Sequence, residues 1–313
     1  MKKLLIWLMA MMLCLPCAYG QEPVVLGEIG CIYVVQDGLW GLLDLDGNAV
    51  IAPEWDALYS LDEGCTLWAA FRGEMVTNLQ GLEEPGEGLW ALYSVDGTKL
   101  SPLQWTKIEK VTDGLILVEM DGLMGVLNTQ GEVVIPVEWE YIQAPALGLV
   151  VVRRDGMSGV LDASGAEILP LTACQSMYVN VADGTIRIRQ GTEDGDEQYA
   201  RSGVFDLTGK EIVPCVWSDI SDFSEGLAAV RDGETWGYIN LQGKLVIPCQ
   251  WQTADDFAGG YAIVKQNGLY GVIDTTGTLV EPCVWETLEA LGGGQFKGTR
   301  TTVFEVADGT QVY

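Results

Sequence analysis

The feature that most constrains this chain is internal repetition. The stretch TWGYINLQGKLVIPCQW (235–251) aligns with GLYGVIDTTGTLVEPCVW (268–285), so that Trp236, Gly243, Pro248 and Trp251 fall on Tyr270, Gly277, Pro282 and Trp285, each 34 residues further on. The same template recurs at 38–55, 88–105, 122–139, 156–173 and 202–217, which makes seven copies, and a degraded eighth closes the chain at 301–313. One template position is held by Trp40, Trp90, Met124, Ser158, Ser202, Trp236 and Tyr270, at spacings of 50, 34, 34, 44, 34 and 34. Two copies therefore carry insertions, of 16 and 10 residues, near 72–87 and 191–200, both just ahead of the template. A single unit of this size cannot bury its apolar face alone, so neighbours must stack and complete each other's core.

A period of 34 also fits paired helices, so the class has to come from local chemistry. Segments such as Leu227 to Arg231, Gly237 to Asn240 and Lys244 to Ile247 are short, β-branched or aromatic, and broken by Asp-Gly, Gln-Gly and Thr-Gly. These are strand and tight-turn signals, and helices would need longer runs free of glycine. Each unit is predicted to form three strands, with a fourth after the proline, as in WSDISDF (217–223). The fold expected is an all-β repeat of seven to eight units, a β-propeller in preference to an open β-solenoid. The chain starts and stops in mid-unit, which suits ring closure.

FSEGLAAVRDGETWGYINLQGKLVIP (223–248) resembles the ideal unit of the bacterial WG, or KWG, repeat family: a Trp-Gly pair, a turn ending in glycine, then Val-Ile-Pro and an aromatic residue. The resemblance runs from about Ile29 to Tyr313. This chain departs from the pattern by placing tryptophan after the proline, by losing the Trp-Gly pair in the fourth and fifth copies, and by its insertions. The resemblance implies an exported or surface-associated protein and brings no shared catalytic activity.

Composition narrows the function classes. The formal charge is −27, from 44 acidic and 17 basic residues, which disfavours nucleic acid and anionic membranes as partners and favours a soluble monomer. Histidine is absent, which removes His-based triads and His-containing zinc sites. Lys2-Lys3, an apolar run from Leu4 to Leu15, Pro16 and Ala18-Tyr19-Gly20 read as a signal peptide over 1–20. The single repeat array would then occupy 21–313, with no membrane span after cleavage and a secreted or cell-surface location in a bacterium.

Candidate site residues each have a packing alternative. Cys215, Cys249 and Cys283 share one template position and Cys31 and Cys65 another, as metal ligands, disulfide partners or small buried side chains, the last preferred. Trp55, Trp105, Trp139, Trp217, Trp251 and Trp285 form a ladder that is either inter-unit core, preferred, or a platform for sugar rings, and Trp68 lies outside both tryptophan registers. Glu193-Asp194-Gly195-Asp196-Glu197 and Asp44-Leu45-Asp46-Gly47 are acidic turns that do not complete a calcium loop. Arg153-Arg154 and Arg187-x-Arg189 are expected on strand surfaces. No catalytic, cofactor-binding or metal-binding residue and no cofactor is assigned. The expected function is a non-enzymatic module binding glycan, peptide or protein at the cell envelope. The alternatives are a carboxylate-dependent hydrolase such as a glycosidase, and a passive spacer.

Overall fold

Two kinds of tight turn alternate with short apolar runs, and together they produce antiparallel sheets. The computed structural model describes residues 25–26, 31–191, 200–300, 304–305 and 311–312, with side chains over 31–191 and 200–300. The signal peptide expected at 1–20 and the acidic run 193–197 lie outside the described residues.

Two compact units divide the chain, the first running to Arg154 and taking in Ala163–Ala166, the second holding the rest. In the first unit the strands are β1 (Val25–Leu26), β2 (Cys31–Gln36), β3 (Leu39–Asp44) and β4 (Ala49–Trp55), then β5 (Ala57–Ser60), β6 (Leu67–Thr77), β7 (Glu83–Ser94) and β8 (Lys99–Trp105). They are followed by β9 (Lys107–Ile108), β10 (Leu115–Met120), β11 (Leu123–Asn128) and β12 (Val133–Trp139), and by the pair β13 (Tyr141–Ile142) and β14 (Leu149–Arg154). The second unit opens with β15 (Met157–Asp162) and β16 (Glu167–Ala173), followed by β17 (Ser176–Asn180), β18 (Thr185–Gln190), β19 (Arg201–Asp206) and β20 (Glu211–Trp217). Next come β21 (Asp219–Ile220), β22 (Leu227–Asp232), β23 (Thr235–Asn240), β24 (Leu245–Trp251), β25 (Thr253–Ala254), β26 (Tyr261–Gln266), β27 (Leu269–Asp274) and β28 (Leu279–Trp285). Two hairpins finish the chain, β29 (Thr287–Gly292) with β30 (Gln295–Thr299) and β31 (Phe304–Glu305) with β32 (Gln311–Val312).

The sheets β1–β4, β5–β8, β9–β12, β17–β20, β21–β24 and β25–β28 are each four-stranded and ordered as in the chain. This up-and-down antiparallel sheet is the blade unit of propeller-type folds. The fourth strand expected after the proline exists, but it pairs forward: Asp219 and Ile220 oppose Arg231 and Val230 of the next template. Each sheet therefore begins with the tail of the preceding sequence copy.

The Trp-Gly pair has a geometric cause. In the sheet β21–β24, Trp236 opposes Trp251 and Tyr238 opposes Ile247, with a bulge between the two pairs. Gly237 sits in that bulge so close to β24 that a Cβ there would lie 2.4 Å from the Ile247 carbonyl oxygen. A side chain has no room at Gly237, which fixes glycine there.

The second turn docks one unit on the last. Asn240 Oδ1 accepts the N–H groups of Gln242 and Lys244 at 3.1 and 3.0 Å, and Gly243 takes φ +70°. A Cβ on Gly243 would stand 2.1 Å from the carbonyl oxygen of Ile212, in the sheet before. Gly97, Gly131 and Gly209 press on Val50, Leu100 and Ile168 in the same way, at 2.2, 2.6 and 2.3 Å.

The cores lie between successive sheets, as the repeat argument requires. Leu67, Ala69, Leu92 and Trp105 of one sheet, with Leu61 from its turn, meet Ile116, Val118 and Leu127 of the next. In the second unit Ala229, Tyr238, Ile247 and Trp251 meet Phe257, Ala262, Val264 and Ile273. Each large apolar side chain buried this way contributes about 1.5–3 kcal/mol.

Candidate functional site

The cysteines resolve toward packing. The thiols of Cys31, Cys65, Cys174, Cys215, Cys249 and Cys283 are all free. A Cβ on Gly203 or Gly271 would fall 2.5 Å from Cys215 Sγ or 2.7 Å from Cys283 Sγ, so these sulfurs cover the bare glycine of the facing strand. Burial raises the pKa of Cys31, Cys215, Cys249 and Cys283, and nearby acidic groups raise the first three further. Such thiols stay protonated, which suits a small buried side chain and not a nucleophile or ligand. Among the described residues, no group of three or more Cys, Asp or Glu side chains is arranged to hold a metal ion.

The tryptophan ladder is also core. Trp55, Trp105, Trp139 and Trp251 are buried, and Trp217 and Trp285 are half-buried. Trp68, outside both registers, is fully buried, and its Nε1 donates to the Cys65 carbonyl at 3.0 Å. Among the ladder rings Trp105 is distinct, because its Nε1 donates to Ser101 Oγ at 2.9 Å. Ile51, Ile135 and Ile247 stand where that serine would be in three of the other sheets.

Asp44 spends its carboxylate on its own turn, accepting from the N–H groups of Asp46 and Asn48 at 3.0 and 2.8 Å. The Asn48 side chain also donates to it, at 2.9 Å. This is a turn closed by a side chain, and its oxygens are already occupied.

Arg187 corrects the sequence reading. Expected on a strand surface, it is 5% exposed. It pairs with Asp183, its Nε donates to Thr185 Oγ1 at 3.0 Å and its Nη1 donates to the Ser221 carbonyl at 3.0 Å. Asp183 also accepts from the N–H of Phe223 at 3.1 Å. The reason is register: Arg187 occupies the place that Ala229 holds one template on, a core position, and a buried cation there must be fully paired. Arg189 is half-buried and reaches the Ser218 carbonyl at 3.2 Å. Arg154 does lie near the surface, 2.9 Å from Glu138 and over the Trp139 ring.

The first insertion is the element the sequence left without a shape. It forms a hairpin that lengthens β6 and β7 beyond their sheet, with Met75 opposing Pro85, Val76 opposing Glu84 and Thr77 opposing Glu83. Its base is held firmly. The buried Phe71 ring covers Gly73 and Gly88, where a Cβ would fall 2.7 and 2.4 Å from Phe71 Cζ. Asp56 accepts the Gly73 N–H at 3.0 Å, and Arg72 donates to the Glu54 carbonyl at 2.6 Å. At the tip Leu79 is fully exposed, with Val76 and Leu82 also exposed. The tip turn Asn78-Leu79-Gln80-Gly81 repeats Asn240-Leu241-Gln242-Gly243 letter for letter, a match that was legible in the sequence.

A small cavity of about 120 Å³ lies in the second unit, lined by Asp255, Asp256, Tyr261, Phe296 and the glycines 292–294. Burial, and then the neighbouring Asp256, raise the pKa of Asp255. Tyr238 donates its hydroxyl to the Asp255 carbonyl at 2.7 Å.

Repeated four-stranded sheets, a bulge at each Trp-Gly pair and a docking turn define a β-repeat protein of propeller-like blades. The family described as "WG containing repeat" matches at residues 40–72, 124–157, 203–236 and 236–270, so the chain carries four matched copies of that repeat. No curated protein matches the sequence significantly. Among solved structures, the chain is similar to one titled as a eukaryotic initiation factor, at 10% identity and a TM-score of 0.37, covering 88% of this chain and 80% of that one. It is similar to Kluyveromyces lactis Hsv2 at 12% identity and a TM-score of 0.32, covering 80% and 93%. Similarity to the tricorn protease, at 14% identity and a TM-score of 0.23, covers 90% of this chain and 33% of that one. At these scores the similarities assign no function. Among the described residues, no helix is long and apolar enough to cross a membrane.

Proposed function

We propose that the chain is an exported, non-enzymatic interaction module of the bacterial cell envelope, a WG-repeat scaffold that presents a binding element to a protein, peptide or glycan. The observation that carries this reading is the hairpin 72–88. It is anchored at its base by Phe71 and Asp56 and bears exposed apolar residues at its tip. Exposed apolar side chains on a projecting hairpin are available for a partner to cover. The regular sheets supply the rigid support that binding loops need.

The test is capture by purified, immobilised chain of one envelope polysaccharide or extracellular protein from the source cell, with saturation. Absence of saturable capture overturns the reading. A second reading, carboxylate-dependent hydrolysis, draws on Asp255, whose raised pKa suits a general acid beside Asp256 in a cavity. Turnover lost in Asp255→Asn would favour it over the module.

A further inference from the structure

We infer that the β6–β7 arm is a strand-addition site for an extended, basic protein segment with alternating apolar residues. The inference rests on the module reading and names its surface and its class of partner. Strand addition needs an open sheet edge, and the arm has one. Within the sheet, β5 pairs with β6 only from Leu67's side up to Phe71, through Ala57 opposite Phe71. Asp56 then caps the Gly73 N–H. Beyond that point nothing among the described residues pairs the outer side of β6.

The direction of the free groups follows from the ladder. Asn78 N donates to the Leu82 carbonyl at 2.8 Å, so by antiparallel alternation Val76 bonds inward to Glu84, while Met75 and Thr77 turn their N–H and C=O groups outward. The same alternation points the ring nitrogen of Pro85 outward on β7, where it offers no donor. One edge of the arm is thus blunted and the other is open.

Charge chooses the occupant. Glu74, Glu83, Glu84 and Glu87 lie on the arm, and no Lys or Arg occurs between Gly73 and Thr98. A second copy of a chain with charge −27 would be repelled. A cationic strand is attracted, gains main-chain hydrogen bonds from Met75 and Thr77, and sets an apolar side chain beside Val76. The tip turn is not docked on another sheet: a Cβ added at Gly81 would meet nothing within 4 Å, where one on the equivalent Gly243 would meet the Ile212 carbonyl oxygen at 2.1 Å.

The experiment is a fluorescence-anisotropy titration of the full chain with a labelled peptide of alternating Lys and Val. The expected result is saturable binding that weakens with added salt. Thr77→Pro removes one outward N–H and no inner ladder bond, and should weaken binding at least about tenfold with the melting temperature unchanged. The triple change Glu83→Lys, Glu84→Lys and Glu87→Lys should weaken it by about as much, since reversing several surface pairs sums to roughly one decade. Equal binding of a Glu-Val peptide, or undiminished binding by Thr77→Pro, overturns the inference. In the envelope capture assay, undiminished capture by Thr77→Pro overturns the arm as the docking site and leaves the module reading standing. Absence of capture by the unmodified chain overturns the module reading, and the peptide titration then decides the arm alone.

Discussion

Asn78-Leu79-Gln80-Gly81 and Asn240-Leu241-Gln242-Gly243 are the same four residues in the same turn, yet they do different work. In both, the asparagine Oδ1 accepts N–H groups two and four residues on, at 3.0 to 3.1 Å. In both, glycine takes a positive φ, +80° and +70°. Gly243 presses on the Ile212 carbonyl of the preceding sheet, whereas a Cβ at Gly81 would meet open space. Turn geometry is therefore written locally, and docking is conferred by phase in the array. An insertion of 16 residues carries the turn out of phase, so the tip of the arm is a repeat turn with no repeat beneath it.

Substituting the two glycines should break the equivalence most sharply. Gly243→Ala adds left-handed strain of about 1–2 kcal/mol and overpacking of about 1–3 kcal/mol, for a loss near 3 kcal/mol. Gly81→Ala meets only the strain, about 1 kcal/mol, confined to the tip. Chemical denaturation should shift strongly for the first and scarcely for the second, and equal shifts would refute the docking role. Next in size, Asn240→Ala should cost about 1 kcal/mol of global stability through its lost turn bonds. Asn78→Ala should leave the global midpoint in place and speed amide exchange at Gln80 and Leu82 alone. Hydrogen exchange followed residue by residue distinguishes these outcomes.

Much of this was legible in the sequence because repetition supplies its own alignment. The period, the Trp-Gly pair and the Asp-Gly and Gln-Gly turns specify short antiparallel strands, and the bulge at Gly237 explains a glycine that the pattern marks without a reason. The forward pairing of Asp219 and Ile220 was not legible, since two residues carry no periodicity. Arg187 was misread for a related cause. A single cation reads as surface charge until its register is laid on Ala229, and its partners Asp183, Thr185 and Ser221 come from two different sheets or turns. The arm was visible only as an insertion. Its length showed that something interrupts the array, but the edge facing outward depends on which pairs bond inward, and that is a property of the ladder.

The smallest expected difference separates turns that titrate from those that do not. Asn78, Asn128 and Asn240 close their turns without a charge, whereas Asp44, Asp96, Asp206 and Asp274 stand in or beside the equivalent turns as carboxylates. Hydrogen bonds received hold these four carboxyls below the usual range: from the Asn48 side chain to Asp44, the Ser94 hydroxyl to Asp96, the Thr208 hydroxyl to Asp206 and the Thr276 hydroxyl to Asp274. Asp96 is brought down to about 2. A carboxyl whose folded pKa is lowered stabilises the fold fully above its unfolded value, about 3.9, and loses that contribution as pH falls through the folded value. The aspartate turns should therefore loosen as pH falls below about 4, that of Asp96 through about pH 2, while the asparagine turns hold. Amide exchange at Thr276 and Thr278 should accelerate as pH falls below about 4, and exchange at Gln242 and Lys244 should follow only the intrinsic pH trend. Asp274→Asn should remove the acid response at its own turn. If that response persists in Asp274→Asn, the acid sensitivity comes from the array as a whole, and the turns are alike in this respect too.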